Sequence, residues 1–177
     1  MTKGQLAAAI ERAEAVLRRR PDMGLHDDAP ATARWEQGTR VVARHANGTE
    51  VPTDMPGEVG GTGDQVTPGW LFRAGLASCA ATTIAMTAAA RGIELTTLEV
   101  RISSRSDTRG LLGMTDDAGI AVHAGPCDVQ MRVRIAARET SPQQLRTLVE
   151  DGYRCSPVPA AVQNVVPVAL HIEVVVT

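Results

Sequence analysis

Apolar and polar residues recur along the chain with two different periods, which predicts both helices and strands. Over residues 3–20 the apolar positions return every three or four residues, so this segment is predicted to be an amphipathic helix that ends at Pro21. Over residues 31–54 apolar and polar residues alternate, with the turn signals QG and NG between the alternating runs. An Asn-Gly pair in this setting is typical of a hairpin turn with positive φ at both residues. The segment is therefore predicted to be a three-stranded antiparallel meander.

A long helix over residues 68–91 is predicted to lie at the centre of the fold. Thr67 suits the N-cap, Pro68 suits the first turn, and Gly92 suits the position just beyond the end. Small and apolar residues occupy every side of this helix, so we expect it to be buried nearly all round. One stripe along it carries Phe72, Leu76, Cys79, Thr83 and Met86.

The remaining pattern predicts strands and two shorter helices in an order that excludes a βαβ fold. A Ser-Pro-Gln-Gln capping sequence opens a helix over residues 141–153, and a proline-punctuated helix or turn begins at Cys155. Helices and strands in this order predict an α+β class, with helices backed by antiparallel sheet. The alternating segments predicted to be strands are residues 95–107, 127–137 and 168–176.

The chain is predicted to form one domain, residues 31–177, preceded by a helical extension, residues 1–22. A glycine-rich loop, residues 55–69, separates the meander from the long helix. Loops of this length inside a compact domain are more often functional than idle. It is not a phosphate-binding loop, because it lacks the lysine and the preceding strand of that motif.

Composition and charge exclude several classes of function. Eighteen basic against 20 acidic residues give a net charge of -2, which does not indicate a nucleic acid or an anionic membrane as partner. Aromatic residues make up 2% of the chain, too few for a base-stacking platform. The N-terminal segment lacks the charge order of a secretory signal, so we expect a cytoplasmic protein.

Three cysteines are the candidates for chemistry. They are too few for a disulfide framework and too far apart for a metal site, so no metal or other cofactor is expected. Cys79 lies among small residues and is either packed core or a nucleophile. Cys155 is placed at the beginning of a short helix, where the dipole would favour a thiolate. Cys127 is interpreted as incidental, and the four histidines as neither ligands nor bases: His26, His45, His123 and His171.

Two segments together carry a resemblance to a known family. TPGWLFRAGLASCAATTIAMTAAARGIELTTLEVRIS and YRCSPVPAAVQNVVPVALHIEV resemble the OsmC/Ohr superfamily, with the upstream DMPGEVGGTG similar to its glycine-rich approach. Members are bacterial thiol-dependent peroxidases of organic hydroperoxides. The resemblance spans roughly residues 31–176 and implies antiparallel sheets wrapped around central helices in an intertwined dimer.

The resemblance also implies a mechanism. Cys79 would be the peroxidatic thiolate and Cys155 the resolving thiol, with an external dithiol, often a lipoylated protein in this family, reducing the disulfide. The substrate would be a small apolar peroxide in an apolar pocket. The alternative is a non-catalytic dimer of this fold that binds a small apolar ligand or senses redox state.

The chain departs from the pattern of the family at the group that activates the thiolate. The peroxidases carry a glutamate directly after the motif proline, paired with an arginine, and Gly69 stands at that position here. A thiolate near neutral pH needs a positive neighbour, since a free cysteine has a pKa of about 8.5. Glu58 or Asp64 could supply a carboxylate instead. The candidate cations are Arg40, Arg44, Arg73 and Arg154.

Overall fold

A computed structural model describes residues 3–175 and confirms the α+β class. The three-stranded meander is confirmed, and so is a pair of long strands after the central helix. Residues 3–175 contain five α-helices and five strands, in this chain order: α1 (Lys3–Arg19), β1 (Thr32–Gln37), β2 (Arg40–Arg44), β3 (Glu50–Thr53), α2 (Pro68–Ala90), β4 (Leu95–Arg105), α3 (Thr108–Leu111), β5 (Cys127–Ala137), α4 (Pro142–Arg154) and α5 (Pro157–Gln163).

The strands form two separate antiparallel sheets. The first has the order β1-β2-β3, and the second pairs β4 with β5, with Val100 opposite Val133. The turn between β2 and β3 differs from the prediction, because only Gly48 has positive φ, at 90°, and Asn47 does not. The amide of Gly48 donates to the carbonyl of His45, so this is a three-residue loop that needs one left-handed residue instead of two.

The central helix α2 begins and ends as its sequence predicts. The Thr67 hydroxyl accepts a hydrogen bond from the amide of Trp70, Pro68 is the first helical residue, and Gly92 follows the end at a φ of 68°. Helix α2 packs against α1, β4, α4 and α5. These elements cover one side of the helix.

The prediction that α2 is buried nearly all round is wrong for the single chain. The buried line is Leu76, Ala80, Ile84 and Ala88, which recur every four residues. The opposite line, including Ser78 and Met86, is exposed. A helix that is almost uniformly small and apolar gives no indication of which face meets its own chain, and that is why the sequence pattern did not separate the two sides.

Helix α4 lies directly against α2. A Cβ at Gly152 would lie 2.7 Å from the Cα of Ile84, so the two helix backbones touch at this point. At the end of α2 the guanidinium of Arg91 pairs with the carboxylate of Asp151 at 2.6 Å and lowers the pKa of that carboxyl. These two contacts place the end of α4 beside the C-terminal half of α2.

The predicted C-terminal strand, residues 168–176, does not form within the described chain. Residues 168–175 lie outside any ladder, and residue 176 is outside the described residues. Val168, Leu170 and Ile172 are 78% to 93% exposed. A strand requires hydrogen bonds to a neighbouring strand, and the alternating pattern specifies a strand without specifying its partner.

In the part of the chain that the structure describes, one helix, α2, is long and apolar enough to cross a membrane by length and composition alone. Core helices of soluble proteins pass the same test, and α2 packs against four other elements of its own chain. We therefore interpret α2 as a core helix.

Candidate functional site

Cys79 lies midway along α2 with its sulfur held by two hydrogen-bond donors. The hydroxyl of Ser156 lies 3.2 Å from the Cys79 Sγ, and the backbone amide of Val158 donates to the same sulfur at 3.4 Å. The cysteine is partly buried, and it is a free thiol. The sulfur therefore faces one hydroxyl and one backbone amide from a distant part of the chain.

The two donors come from the junction between α4 and α5. Helix α4 ends at Arg154, Cys155 is its C-cap, and Ser156 is the N-cap of α5. Ser156 is fully buried, and its backbone amide donates to the carbonyl of Tyr153 at 3.0 Å. The junction thus places the side chain of Ser156 against α2.

Cys155 lies at the end of α4 and not at the beginning of α5, which corrects its predicted setting. Its thiol is free and exposed. The carbonyl end of a helix does not stabilise a thiolate, so the dipole argument made for Cys155 does not hold. In the first turn of α5, the backbone amide of Val158 donates to the sulfur of Cys79 and not to that of Cys155. Arg154, the neighbouring cation, pairs with Asp151 at 3.2 Å.

Ser156 was not singled out from the sequence, although a local signal was present. Serine followed by proline is a common way to start a helix, with serine at the N-cap and proline in the first turn. Applied to RCSPV, this rule starts the helix at Pro157 and leaves Cys155 outside it. The contact of Ser156 with Cys79 is tertiary, and no local rule predicts it.

Cys127 is exposed at the start of β5 and is a free thiol. Within residues 3–175, no group of three or more histidine, cysteine, aspartate or glutamate side chains is placed to hold a metal ion.

The candidate arginines are each engaged by another side chain. Arg44 pairs with Glu50 at 2.8 Å, and the Arg73 guanidinium lies 3.4 Å from the Ser104 hydroxyl. A Cβ built on Gly69 would lie 3.7 Å from the Arg73 guanidinium, so a carboxylate at position 69 would be within reach of Arg73. Arg73 therefore carries the guanidinium nearest to position 69.

A buried carboxylate holds the glycine-rich loop to β2. Asp54 is 2% exposed and accepts hydrogen bonds from the hydroxyls of Thr39 and Thr62. These bonds, with Thr39 first, hold the pKa of Asp54 well below its usual range. Arg40 bonds to Asp64 and lowers the pKa of that carboxyl to about 2, and it also lies 3.5 Å from Asp54.

This cluster makes the loop sensitive to acid. Both pKa values are lower in the folded chain than the ordinary 3.8, so the folded state binds fewer protons and is stabilised above that value. The stabilisation is complete near neutral pH. It decreases as the pH falls below about 4, and the part due to Asp54 is lost completely only below pH 2.

We expect Asp54→Asn to lower the urea midpoint most at pH 7 and by a smaller amount at pH 2. Urea unfolding at both pH values measures this, with Asp117→Asn, at an exposed aspartate, as the control. An equal effect of Asp54→Asn at both pH values would contradict it.

A cavity of about 380 Å³ lies between the glycine-rich loop and the first turns of α2. Its lining is mainly apolar, with Arg73 and Asp107 among the polar residues. Asp107 is paired with Arg109. Phe72 lines this cavity seven residues before Cys79, so both lie on one face of α2, about 10 Å apart along the axis. Apolar lining residues include Met55, Pro56, Phe72, Leu111 and Pro126.

The fold and the site define an α+β protein with a hydrogen-bonded cysteine in its central helix. The chain belongs to the family of OsmC-like proteins, whose family model matches residues 61–171. No curated protein matches the chain significantly.

Solved structures similar to this chain have the same fold. An OsmC-like protein from Mycoplasma pneumoniae has a TM-score of 0.65 and 17% identity, covering 80% of this chain and 91% of its own. An organic hydroperoxide resistance protein from Elizabethkingia anophelis has a TM-score of 0.56 and 17% identity, covering 78% and 90%. One from Legionella pneumophila has a TM-score of 0.53 and 19% identity, covering 78% and 92%.

Proposed function

We propose that this protein is a thiol-dependent peroxidase that reduces organic hydroperoxides in the cytoplasm. The observation that carries the proposal is the Cys79 sulfur, which is partly exposed and accepts hydrogen bonds from Ser156 and Val158. Membership of the OsmC-like family, and the similarity to structures described as organic hydroperoxide resistance proteins, support the choice of substrate class.

The proposed cycle begins with attack of the Cys79 thiolate on the terminal oxygen of the hydroperoxide. The O–O bond breaks, the sulfur becomes a sulfenic acid, and the alkoxide leaves as an alcohol after taking up a proton. The thiol of Cys155 then attacks the oxidised sulfur, which forms a disulfide and releases water. An external dithiol reduces the disulfide to two thiols and is itself oxidised to a disulfide.

The resolving step requires a local movement at the α4–α5 junction. Ser156, the residue directly after Cys155, occupies the position against the Cys79 sulfur. Cys155 is the C-cap of α4 and is exposed, so unwinding the last turn of α4 would let its thiol replace the Ser156 hydroxyl. Helix ends open at low cost in free energy, which makes this the part of the site best suited to move.

The cavity beside Phe72 is proposed to bind the organic group of the peroxide. Its apolar lining matches a hydrocarbon, and it shares a face of α2 with Cys79. The peroxide oxygen would then lie at the sulfur with the carbon chain directed toward the N-terminal end of α2.

Titration of free thiols tests the proposed function. The wild-type chain is expected to lose two of its three thiols on addition of one equivalent of t-butyl hydroperoxide, and mass spectrometry is expected to find a peptide linking Cys79 to Cys155. Survival of all three thiols in excess cumene hydroperoxide would overturn the peroxidase proposal and favour the non-catalytic, ligand-binding alternative.

We further propose that the protein acts as a homodimer. Two apolar surfaces are exposed in the single chain: the C-terminal segment, residues 168–175, and the side of α2 that carries Ser78 and Met86. Apolar exposure on this scale is typical of an interface. A second copy would supply a strand for the C-terminal segment and cover α2.

Replacing Leu170 with aspartate is expected to convert the dimer into a monomer, because a charge would enter the apolar face of the paired segment. Light scattering after size-exclusion chromatography is expected to give twice 18.7 kDa for the wild type and 18.7 kDa for Leu170→Asp. His171→Asp places the same charge on the other face of the segment and is expected to leave the dimer intact. A wild-type mass of 18.7 kDa at all concentrations would refute the dimer.

A further inference from the structure

Ser156 is buried, its backbone is held by hydrogen bonds, and its side chain contacts the Cys79 sulfur. It is fully buried, and its hydroxyl lies 3.2 Å from the Cys79 Sγ. Its backbone is fixed on both sides, since its amide donates to the carbonyl of Tyr153 and its carbonyl accepts from the amide of Ala160, each at 3.0 Å. Pro157 directly after it further restricts the backbone. The Cβ of Ser156 therefore has a fixed position, and the hydroxyl can move only by rotation of the side chain.

The direction of this hydrogen bond depends on the ionisation of the sulfur. The amide of Val158 can only donate, so the sulfur already acts as an acceptor from one side. A serine hydroxyl can donate or accept. When Cys79 is a thiolate, both groups donate to it. When it is a thiol, its S–H can donate to the Ser156 oxygen while the sulfur still accepts from the Val158 amide. Ionisation therefore reverses the Ser156 bond, and hydrogen bonds to an ionised acceptor are the stronger ones.

On α2 and in the last turn of α4, the charged groups are engaged elsewhere. On α2 the charged side chain is Arg73, which bonds to Ser104. Helix α5 carries no charged residue. In the last turn of α4, Arg154 pairs with Asp151, and the nearby hydroxyl of Tyr153 accepts from Gln163.

We propose that Ser156 is a positioning residue that holds Cys79 as a thiolate and aims it for attack, in place of the glutamate that Gly69 replaces. This inference rests on the proposed function, since it assigns Ser156 a role in that reaction. The interaction itself is independent of peroxide, and this allows the two ideas to be tested separately.

The test measures the alkylation of Cys79 by iodoacetamide as a function of pH. A Cys127→Ser/Cys155→Ser chain leaves one thiol, so the rate reports the thiolate fraction of Cys79 alone. Loss of one hydrogen bond to a charged group changes that fraction about tenfold, so Ser156→Ala is expected to raise the midpoint of the profile by about one pH unit. Ser156→Thr, which keeps the hydroxyl, is expected to restore the midpoint.

Ser78→Ala is the matched control, because Ser78 precedes Cys79 but bonds to the carbonyl of Gly75 in its own helix. Circular dichroism reports whether each variant is folded. If Ser156→Ala is unfolded, Ser156→Cys replaces it, because a thiol is a weaker donor of similar shape. Peptide mapping then follows the alkylation of Cys79 separately from that of the new cysteine. The midpoint of the Cys79 profile is expected to rise in this variant too. An unchanged midpoint in the folded variant overturns the inference. A raised midpoint without any peroxide reduction by the wild type would support the role of Ser156 and refute the peroxidase.

Discussion

A Cys79→Ser chain is expected to lose organic hydroperoxide reduction by about a thousandfold or more, the scale on which removal of a nucleophile acts in other enzymes. A serine hydroxyl at this position would still meet Ser156 and Val158, but it would not ionise near neutral pH and could not accept the oxygen. The measurement is consumption of t-butyl hydroperoxide in the presence of a dithiol such as dihydrolipoamide.

The other two cysteines provide the controls for this prediction. Cys127→Ser is expected to keep the wild-type rate, because Cys127 is exposed at the start of β5. Cys155→Ser is expected to lose one thiol per equivalent of peroxide and to leave a sulfenic acid on Cys79 that dimedone traps. A Cys79→Ser chain that retains a tenth of the wild-type rate would show that another group carries the reaction.

Local signals explain why the central helix could be predicted closely. The cap at Thr67, the proline that follows it and the terminal Gly92 each act within a few residues, and the helix runs between them. The capping box of α4 is local in the same way, with Ser141 and Gln144 bonding to each other's backbone amides. The family pattern identified Cys79 as a candidate for a related reason, since its motif is contained within α2.

The parts that could not be predicted depend on contacts between distant residues. Ser156 and Cys79 are 77 positions apart in the sequence, and the hydroxyl reaches the sulfur only because α4 packs on α2. The C-terminal segment shows the reverse case. Its alternation is strong, yet residues 3–175 provide no strand that pairs with it, so the local pattern did not lead to a strand.

Gly152 is the residue on which the approach of α4 to α2 depends, and Gly152→Ala is expected to affect both stability and the site. The added Cβ would lie 2.7 Å from the Cα and 3.0 Å from the amide nitrogen of Ile84. Backbone atoms in a packed helix cannot move aside separately, so α4 must move away as a unit. Overpacking of this kind costs about 1–3 kcal/mol, which lowers the melting temperature by about 3–10 °C in a chain of this length.

The same displacement is expected to slow alkylation of Cys79 at pH 7, because Ser156 lies one turn beyond Gly152 and would move with the end of α4. Gly4→Ala is the control, since Gly4 is also helical and a Cβ there would meet nothing within 4 Å. Thermal unfolding followed by circular dichroism and the alkylation rate at pH 7 are measured on the same samples.

A Gly152→Ala chain with the wild-type melting temperature would show that the helices can separate without cost. A lower melting temperature with unchanged alkylation would show that Ser156 keeps its place on Cys79 independently of α4, through its anchoring in α5 alone.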